Sequence, residues 1–304
     1  MIFFENTHPI VRKYVTYLKL EKSLSAHSVE AYLSDMEKMV VYFGSVEKVQ
    51  EAGTQELEAF LCQLRDCGIH PRSQARILSG MKSFYRFLML EKVVELDPTE
   101  LLDAPRLGRH LPEVLSVEEI DAMVECIDLS AAEGQRNKAI LETLYGCGLR
   151  VSELTSLRCS HCYFEEEYVA VEGKGGKQRL VPISPRAIHE VELWLEDRRR
   201  WPLQKGNEDF VFLNRRGAAL SRSMIFRIVQ NLADLAGIQR AISPHTFRHS
   251  FATHLLEGGG NLRAIQQMLG HESIQTTEIY THMDKTYLRE QMLQFHPRHR
   301  PDSK

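Results

Sequence analysis

A histidine and an arginine three residues apart, at the start of a predicted helix, are the sharpest chemical signal in the chain. In Ser243-Pro244-His245-Thr246-Phe247-Arg248-His249, the serine suits an N-cap and the proline suits the first helical position. His245 and Arg248 then share one face of the opening turns. The unpaired N–H groups and positive dipole end of a helix start attract anions. A guanidinium fork with an imidazole beside it turns that start into a phosphate cradle. Taken alone, the pattern also fits a capped helix with solvated polar groups. Zinc is the other possibility, since His245 and His249 are four apart, but the pair fails the ligand rules. No acid follows His245, and a cation precedes the second histidine.

Further positions join the same inventory. Gly148-Leu149-Arg150-Val151-Ser152-Glu153 puts Glu153 one helical turn after Arg150. An ion pair there would hold the guanidinium and leave donors free, although a surface pair of this kind adds little to stability. Lys174 lies in Gly173-Lys174-Gly175-Gly176-Lys177, with a long stem and no structural task in view beyond solubility. His271 follows Gly270 at the expected end of a helix, and Tyr280 comes nine residues later. Singly, His271 reads as a turn residue and Tyr280 as a half-buried aromatic. Cys159-Ser160-His161-Cys162 is a CxxC with no second pair to complete four zinc ligands. Inert thiols are expected there, not metal or redox chemistry.

The elements that must position these residues are helical first and mixed afterwards. Ser25 caps a helix running to about Phe43, Thr54 caps the next, and another begins near Pro71. On that last helix Ile77, Leu78, Met81, Phe84, Tyr85 and Leu88 share one face. Arg72, Arg76, Lys82 and Arg86 fall within roughly 120° on the other, as a solvated face or a phosphate-contacting stripe. From Asp97 to Pro112 the chain carries three prolines, a glycine and three basic residues, and reads as a linker. Ser116 and Glu119 then form a capping box.

Beyond it, helices are expected near 117–127, 135–146, 185–200, 222–236, 244–256, 262–269 and 285–295. Asn261 starts the sixth of these and Gly270 ends it in a left-handed turn. Alternating runs at Tyr168–Glu172 and Gln178–Pro182 flank the glycine-rich stretch as a β-hairpin, and Asp209–Leu213 reads as one more short strand. The predicted organisation is an all-α helical bundle over 1–103, a linker over 104–113, and a mixed, mainly α domain over 114–304 with a small antiparallel sheet.

Bulk properties bound the function. At 304 residues two domains are the default, and 43% hydrophobic with 26% charged residues is ordinary for a globular protein. No apolar run nears the roughly 20 residues of a membrane helix, and Met1–His8 lacks a secretory pattern. Six sparse cysteines imply a reduced, cytoplasmic setting. The net charge of −3 does not advertise nucleic-acid binding, but the charge is segregated. Residues 1–105 carry 12 basic and 15 acidic side chains (−3), residues 106–172 carry 6 and 13 (−7), and residues 173–304 carry 20 and 13 (+7). A basic surface therefore coexists with an acidic total.

Arg150, Lys174, His245-x-x-Arg248, His271 and Tyr280, in that order, resemble the tyrosine recombinase (lambda integrase-type) family. YGCGLRVSEL, VEGKGGKQRLVPIS and SPHTFRHSFATHLLEGGGNLRAIQQMLGHESIQTTEIYTHMD are similar to its Xer subfamily, and LKLEKSLSAHSVEAYLSDMEKMVVYF is XerD-like more than XerC-like. The resemblance spans essentially the whole chain; the CSHC turn departs from it without touching a site position. It implies a SAM-like, DNA-binding N-terminal domain and a catalytic C-terminal domain that clamp a duplex.

It also implies a catalytic set of Arg150, Lys174, His245, Arg248, His271 and Tyr280, with Tyr280 as nucleophile and a 3′-phosphotyrosyl intermediate. No metal, cofactor or ATP enters that chemistry. Implied partners are a double-stranded DNA recombination site, three further protomers in a homo- or hetero-tetramer with a second Xer recombinase, and a DNA translocase of the cell-division machinery; no membrane is implied. The resemblance places the amphipathic tail after Asp284 on a neighbouring protomer. The implied task is resolving chromosome dimers. Type IB topoisomerase-like relaxation, a DNA-binding module without catalysis, and a zinc hydrolase are the alternatives.

Overall fold

Within the residues described by the computed structural model (8–105, 113–173, 178–270 and 282–299), the chain opens with α1 (Pro9–Thr16). The His8 imidazole caps it, and it runs on through a π-helical turn, Tyr17–Glu21. Ser25 caps α2 (Ala26–Phe43) and Ser45 caps α3 (Val46–Glu51). Then come α4 (Thr54–Asp66) and α5 (Pro71–Leu90).

Thr54 is not the cap expected of it. Gly53 takes that position, its N–H satisfied by Glu56 Oε2 at 2.7 Å, while Thr54 Oγ1 donates to the Pro98 carbonyl at 3.0 Å. A hydroxyl spent on a distant carbonyl is not needed as a cap when an acid three residues on supplies the bond.

The apolar face of α5 is buried as its periodicity requires, with the Tyr14 ring 5.1 Å from Phe84 and 5.2 Å from Phe87. On its basic face, Arg76 Nη1 donates to Asp35 Oδ2 at 2.5 Å, and the Asp35 side chain is only 2% exposed. Arg76 thus has a structural task, since a buried carboxylate left unpaired costs several kcal/mol. These helices belong to one compact unit, Met1–His110.

The second unit, Leu111–Lys304, has its own core. The Ser116–Glu119 capping box opens α6 (Val117–Glu125). Next, α7 (Gly134–Cys147) is buried along most of its length and is followed by the short α8 (Val151–Thr155). Three antiparallel strands come next: β1 (Cys162–Tyr163), β2 (Tyr168–Glu172) and β3 (Gln178–Pro182), in the order β1-β2-β3. The hairpin register pairs Val169 with Val181 and Val171 with Arg179.

Ser184 caps α9 (Pro185–Arg198), Ser221 caps α10 (Arg222–Leu235), and Ser243 caps α11 (Pro244–Glu257). Both α9 and α11 pack on α7. Asn261 caps α12 (Leu262–Leu269), and α13 (His282–Phe295) closes the described helices. The strand expected at Asp209–Leu213 does not form. That stretch makes only isolated bridges, Arg158↔Phe210 and Leu213↔Ala219, because the Asn214 side chain accepts from Arg216 and Ala218 N–H groups and folds the chain back.

The tail packs on its own unit. Leu288 and Met292 of α13 enter the core, and Arg298 beyond it is buried against Glu142 (3.1 Å) and Asp121 (2.6 Å). Of the apolar side chains that the resemblance assigns to a neighbour, Leu288, Met292 and Phe295 pack on this unit's own core in the single chain, while Tyr287 and Leu293 stay exposed. No described helix is long and apolar enough to cross a membrane.

Candidate active site

Local backbone geometry brings Arg150 and Arg248 to one place. At the end of α7, Gly148 adopts φ +60°, which reverses the chain at little steric cost and leads into α8, whose N-cap Arg150 lies two residues on. Any β-carbon at 148 would also lie 2.4 Å from the Phe251 ring of α11. The expected pair of Arg150 with Glu153 forms twice over: Nη1 donates to Oε1 at 2.8 Å, and the Arg150 N–H donates to Oε2 at 2.8 Å. On α11, Ser243 accepts from the Thr246 N–H as a cap, and His245 and Arg248 occupy the opening turns.

Arg150, His245 and Arg248 line one open cleft of about 580 Å³, together with Ser152, Arg222 and Phe226. Lys174, His271 and Tyr280 lie outside the described residues.

Arg248 is buried, donating from Nη1 to the Gly148 carbonyl at 2.8 Å and from Nη2 to the Leu269 carbonyl. Burial, with the positive charge of Arg150 next, lowers its pKa to about 10, so it stays charged at neutral pH. Arg150 Nη2 donates to the Gly270 carbonyl at 2.9 Å. Gly270, at φ +63°, is the left-handed terminator that the sequence predicts. Two of Arg150's five N–H donors are thereby committed among the described residues, and the cleft can draw on the rest.

His245 is exposed at this cleft. Partial burial, then the charges of Arg248, His249 and Arg150, hold its imidazole below the usual value, so it is neutral at pH 7 and free to accept a proton.

Sequence reasoning missed Arg179. On β3 it is 8% exposed and grips both oxygens of Glu153, at 2.6 and 3.0 Å. Alternation with Val181 puts it on the core face of the strand, and a charge on such a face requires a partner. Glu153 is therefore the hub of three arginines, the third being Arg248 at 3.9 Å. Its burial would raise the carboxyl, but the Arg179 hydrogen bond and charge, then those of Arg150, hold it below the ordinary range. At the CSHC turn, burial pushes the Cys159 thiol up and Cys162 to about 12, which keeps both protonated.

A cleft lined by three helix starts that carry Arg150, Arg222, His245 and Arg248, following a helical unit, defines a class. Residues 113–286 match the Phage integrase family and residues 11–92 match the phage integrase N-terminal SAM-like domain. The chain belongs to the phage integrase family, and its class is that of the tyrosine recombinases, enzymes that exchange DNA strands at specific sites.

Within that class it is similar to the tyrosine recombinase XerD of Chlorobaculum tepidum, 40% identical over 289 residues that span 94% of this chain and 95% of that one. XerD of Pseudomonas putida is 40% identical over 295 residues, 96% of this chain and 98% of that one. The XerD-like reading of the sequence agrees with both. Among solved structures, a lambda integrase tetramer bound to a Holliday junction shares the fold, with a TM-score of 0.69 at 18% identity over 98% of this chain and 79% of that one.

Proposed function

We propose that this chain is a Xer-type site-specific recombinase in which Tyr280 cuts DNA at the cleft of Arg150, His245 and Arg248. The observation that carries this reading is a charge imbalance. Three guanidiniums against one carboxylate leave two positive charges in excess beside an open cleft. A phosphodiester brings one negative charge and gains a second as a phenolate oxygen attacks. Fixed cations that meet this developing charge lower the barrier without reorganisation.

Tyr280 Oη attacks phosphorus and passes its proton to neutral His245, since a phenol of pKa near 10 needs such help. The bond from phosphorus to the 5′ oxygen breaks as a 3′-phosphotyrosyl bond forms. Lys174 gives the leaving 5′ oxygen its proton, and His271 donates to a non-bridging oxygen; both roles rest on the resemblance. A 5′-hydroxyl from the partner strand then attacks the same phosphorus, and Tyr280 leaves and regains its proton. One phosphoester replaces another, so no ATP is consumed.

The helical unit and the catalytic unit would each contact the duplex. By analogy with the lambda integrase tetramer, four protomers work on two sites, either as copies of this chain or with a second Xer recombinase. Similarity to the XerD relatives supports a role in resolving chromosome dimers; on this proposal the protein acts in the cytoplasm, with a DNA translocase of the division machinery as partner.

The test is a nicked suicide duplex carrying the site that this protein selects from a random DNA pool. Wild-type protein forms a covalent adduct stable in detergent, and Tyr280→Phe forms none. Equal adduct from the phenylalanine variant would mean that another nucleophile cuts.

A further inference from the structure

Arg179 is a buried cation for which the chemistry above has no use. Its Nε donates to the Met268 carbonyl at 3.1 Å, and its two Nη atoms are spent on Glu153. The last three carbonyls around the end of α12 are thus each claimed by a different arginine: Met268 by Arg179, Leu269 by Arg248 and Gly270 by Arg150. All three cations also converge on Glu153, with closest approaches of 2.6 Å for Arg179, 2.8 Å for Arg150 and 3.9 Å for Arg248. Arg179 alone among them lines no part of the cleft.

We propose that Arg179 is a positioning residue for strand transfer, setting where Arg150 and Arg248 present their free donors. This rests on the phosphate-cradle reading above. With Arg179 in place, both Glu153 oxygens are saturated, and Arg248 stays beyond hydrogen-bond range of the carboxylate. Without it, an under-satisfied buried carboxylate draws Arg248 inward, because leaving its charge unpaired costs more than moving a side chain. The Arg248 donors then turn from the cleft toward the core. The Met268 bond is lost at the same time, and with it one of three ties on the helix end that precedes His271.

Single-turnover adduct formation at saturating protein on the selected nicked duplex tests this, with Arg179→Met and Arg179→Lys beside wild type. Two leaving groups are compared, the natural 5′ oxygen and a 5′-bridging sulfur that needs no acid. Arg179→Met is expected to bind the duplex within about threefold of wild type but to cleave about 100-fold more slowly, the size of effect that a misplacement near 1 Å produces. Arg179→Lys, which keeps a cation for Glu153, recovers part of the rate. Sulfur leaves the deficit unchanged in both.

Variants that melt like wild type and cleave at its rate overturn the proposal. So does restoration by sulfur, which would put Arg179 in the service of Lys174. Should the methionine variant fail to fold, the lysine variant carries the same comparison. A wild-type protein that forms no adduct would instead sink the reading beneath it.

Discussion

Two buried carboxylates in the second unit, Glu153 and Glu142, are both held by arginines, yet they titrate in opposite directions. Glu153 is 2% exposed and Glu142 is fully buried. At Glu153, burial favours the neutral form, but Arg179 and Arg150 prevail and the carboxyl is held down. At Glu142, burial dominates over Arg298 and Arg186 and pushes the carboxyl up. Geometry accounts for part of this. Arg186 Nε lies 3.0 Å from Glu142 Oε1 but off the hydrogen-bond line, and Arg298 Nη2 has no partner among the described residues.

The balance of charge accounts for the rest. Around Glu142 two arginines meet two acids, since Asp121 shares both cations. That cluster is neutral, and it fastens the tail. Around Glu153 three arginines meet one acid beside an open cleft. On the proposed mechanism, the same device serves structure where the charges cancel and chemistry where they do not.

The sharpest way to break this comparison is to remove one cation from each cluster. Arg150→Ala or Arg248→Ala should slow adduct formation about 1,000-fold on the selected duplex, the scale of losing one fixed donor to a developing anion. Site affinity, read by gel shift, should change little. Near-normal cleavage by either variant would show that the excess charge is not catalytic.

Arg298→Ala should act on stability instead, lowering it by about 3 kcal/mol in urea unfolding, because Glu142 loses a buried partner. An unchanged unfolding midpoint would mean that the tail is held by Leu288 and Met292 alone.

The smallest effect is a difference in pH dependence. Glu153 titrates below its unfolded-chain value near 4.5. Its contribution is therefore complete above that pH and is lost as the pH falls through the lower folded-state pKa. Glu142 titrates above 4.5, so its ionisation weakens the fold as the pH rises through the raised folded-state pKa. Glu153→Gln should thus be less stable than wild type at neutral pH, with the gap closing in acid. Glu142→Gln should match or exceed wild type at neutral pH and lose that advantage below 4.5. Parallel curves for the two variants would erase the distinction.

Local signals were legible in the sequence, and distant partners were not. Ser25, Ser116 and Asn261 could be read as caps because a cap answers to residues two or three positions away. The two hairpin strands followed from period-two alternation on either side of the glycines. Thr54 misled because its hydroxyl answers to Pro98, 44 residues downstream. Arg76 could not be told from a phosphate-contacting side chain because Asp35 comes from another helix. At the site, the Arg150–Glu153 pair was visible as a helical spacing, whereas Arg179 reaches Glu153 across 26 residues. The two-residue β1 is too short for alternation to reveal, and the strand expected at Asp209–Leu213 fails because the Asn214 side chain folds the chain back just beyond it.

Gly148 narrows the permissible sequence space more than its size suggests. Its carbonyl receives Arg248, its positive φ turns the chain toward Arg150, and its missing side chain makes room for the Phe251 ring. An alanine there would ask the ring, the turn and the guanidinium to move together, with no flexible neighbour to absorb the shift. Efforts to retarget this enzyme to new DNA should therefore diversify residues lining the rim of the cleft and treat position 148 as a fixed point.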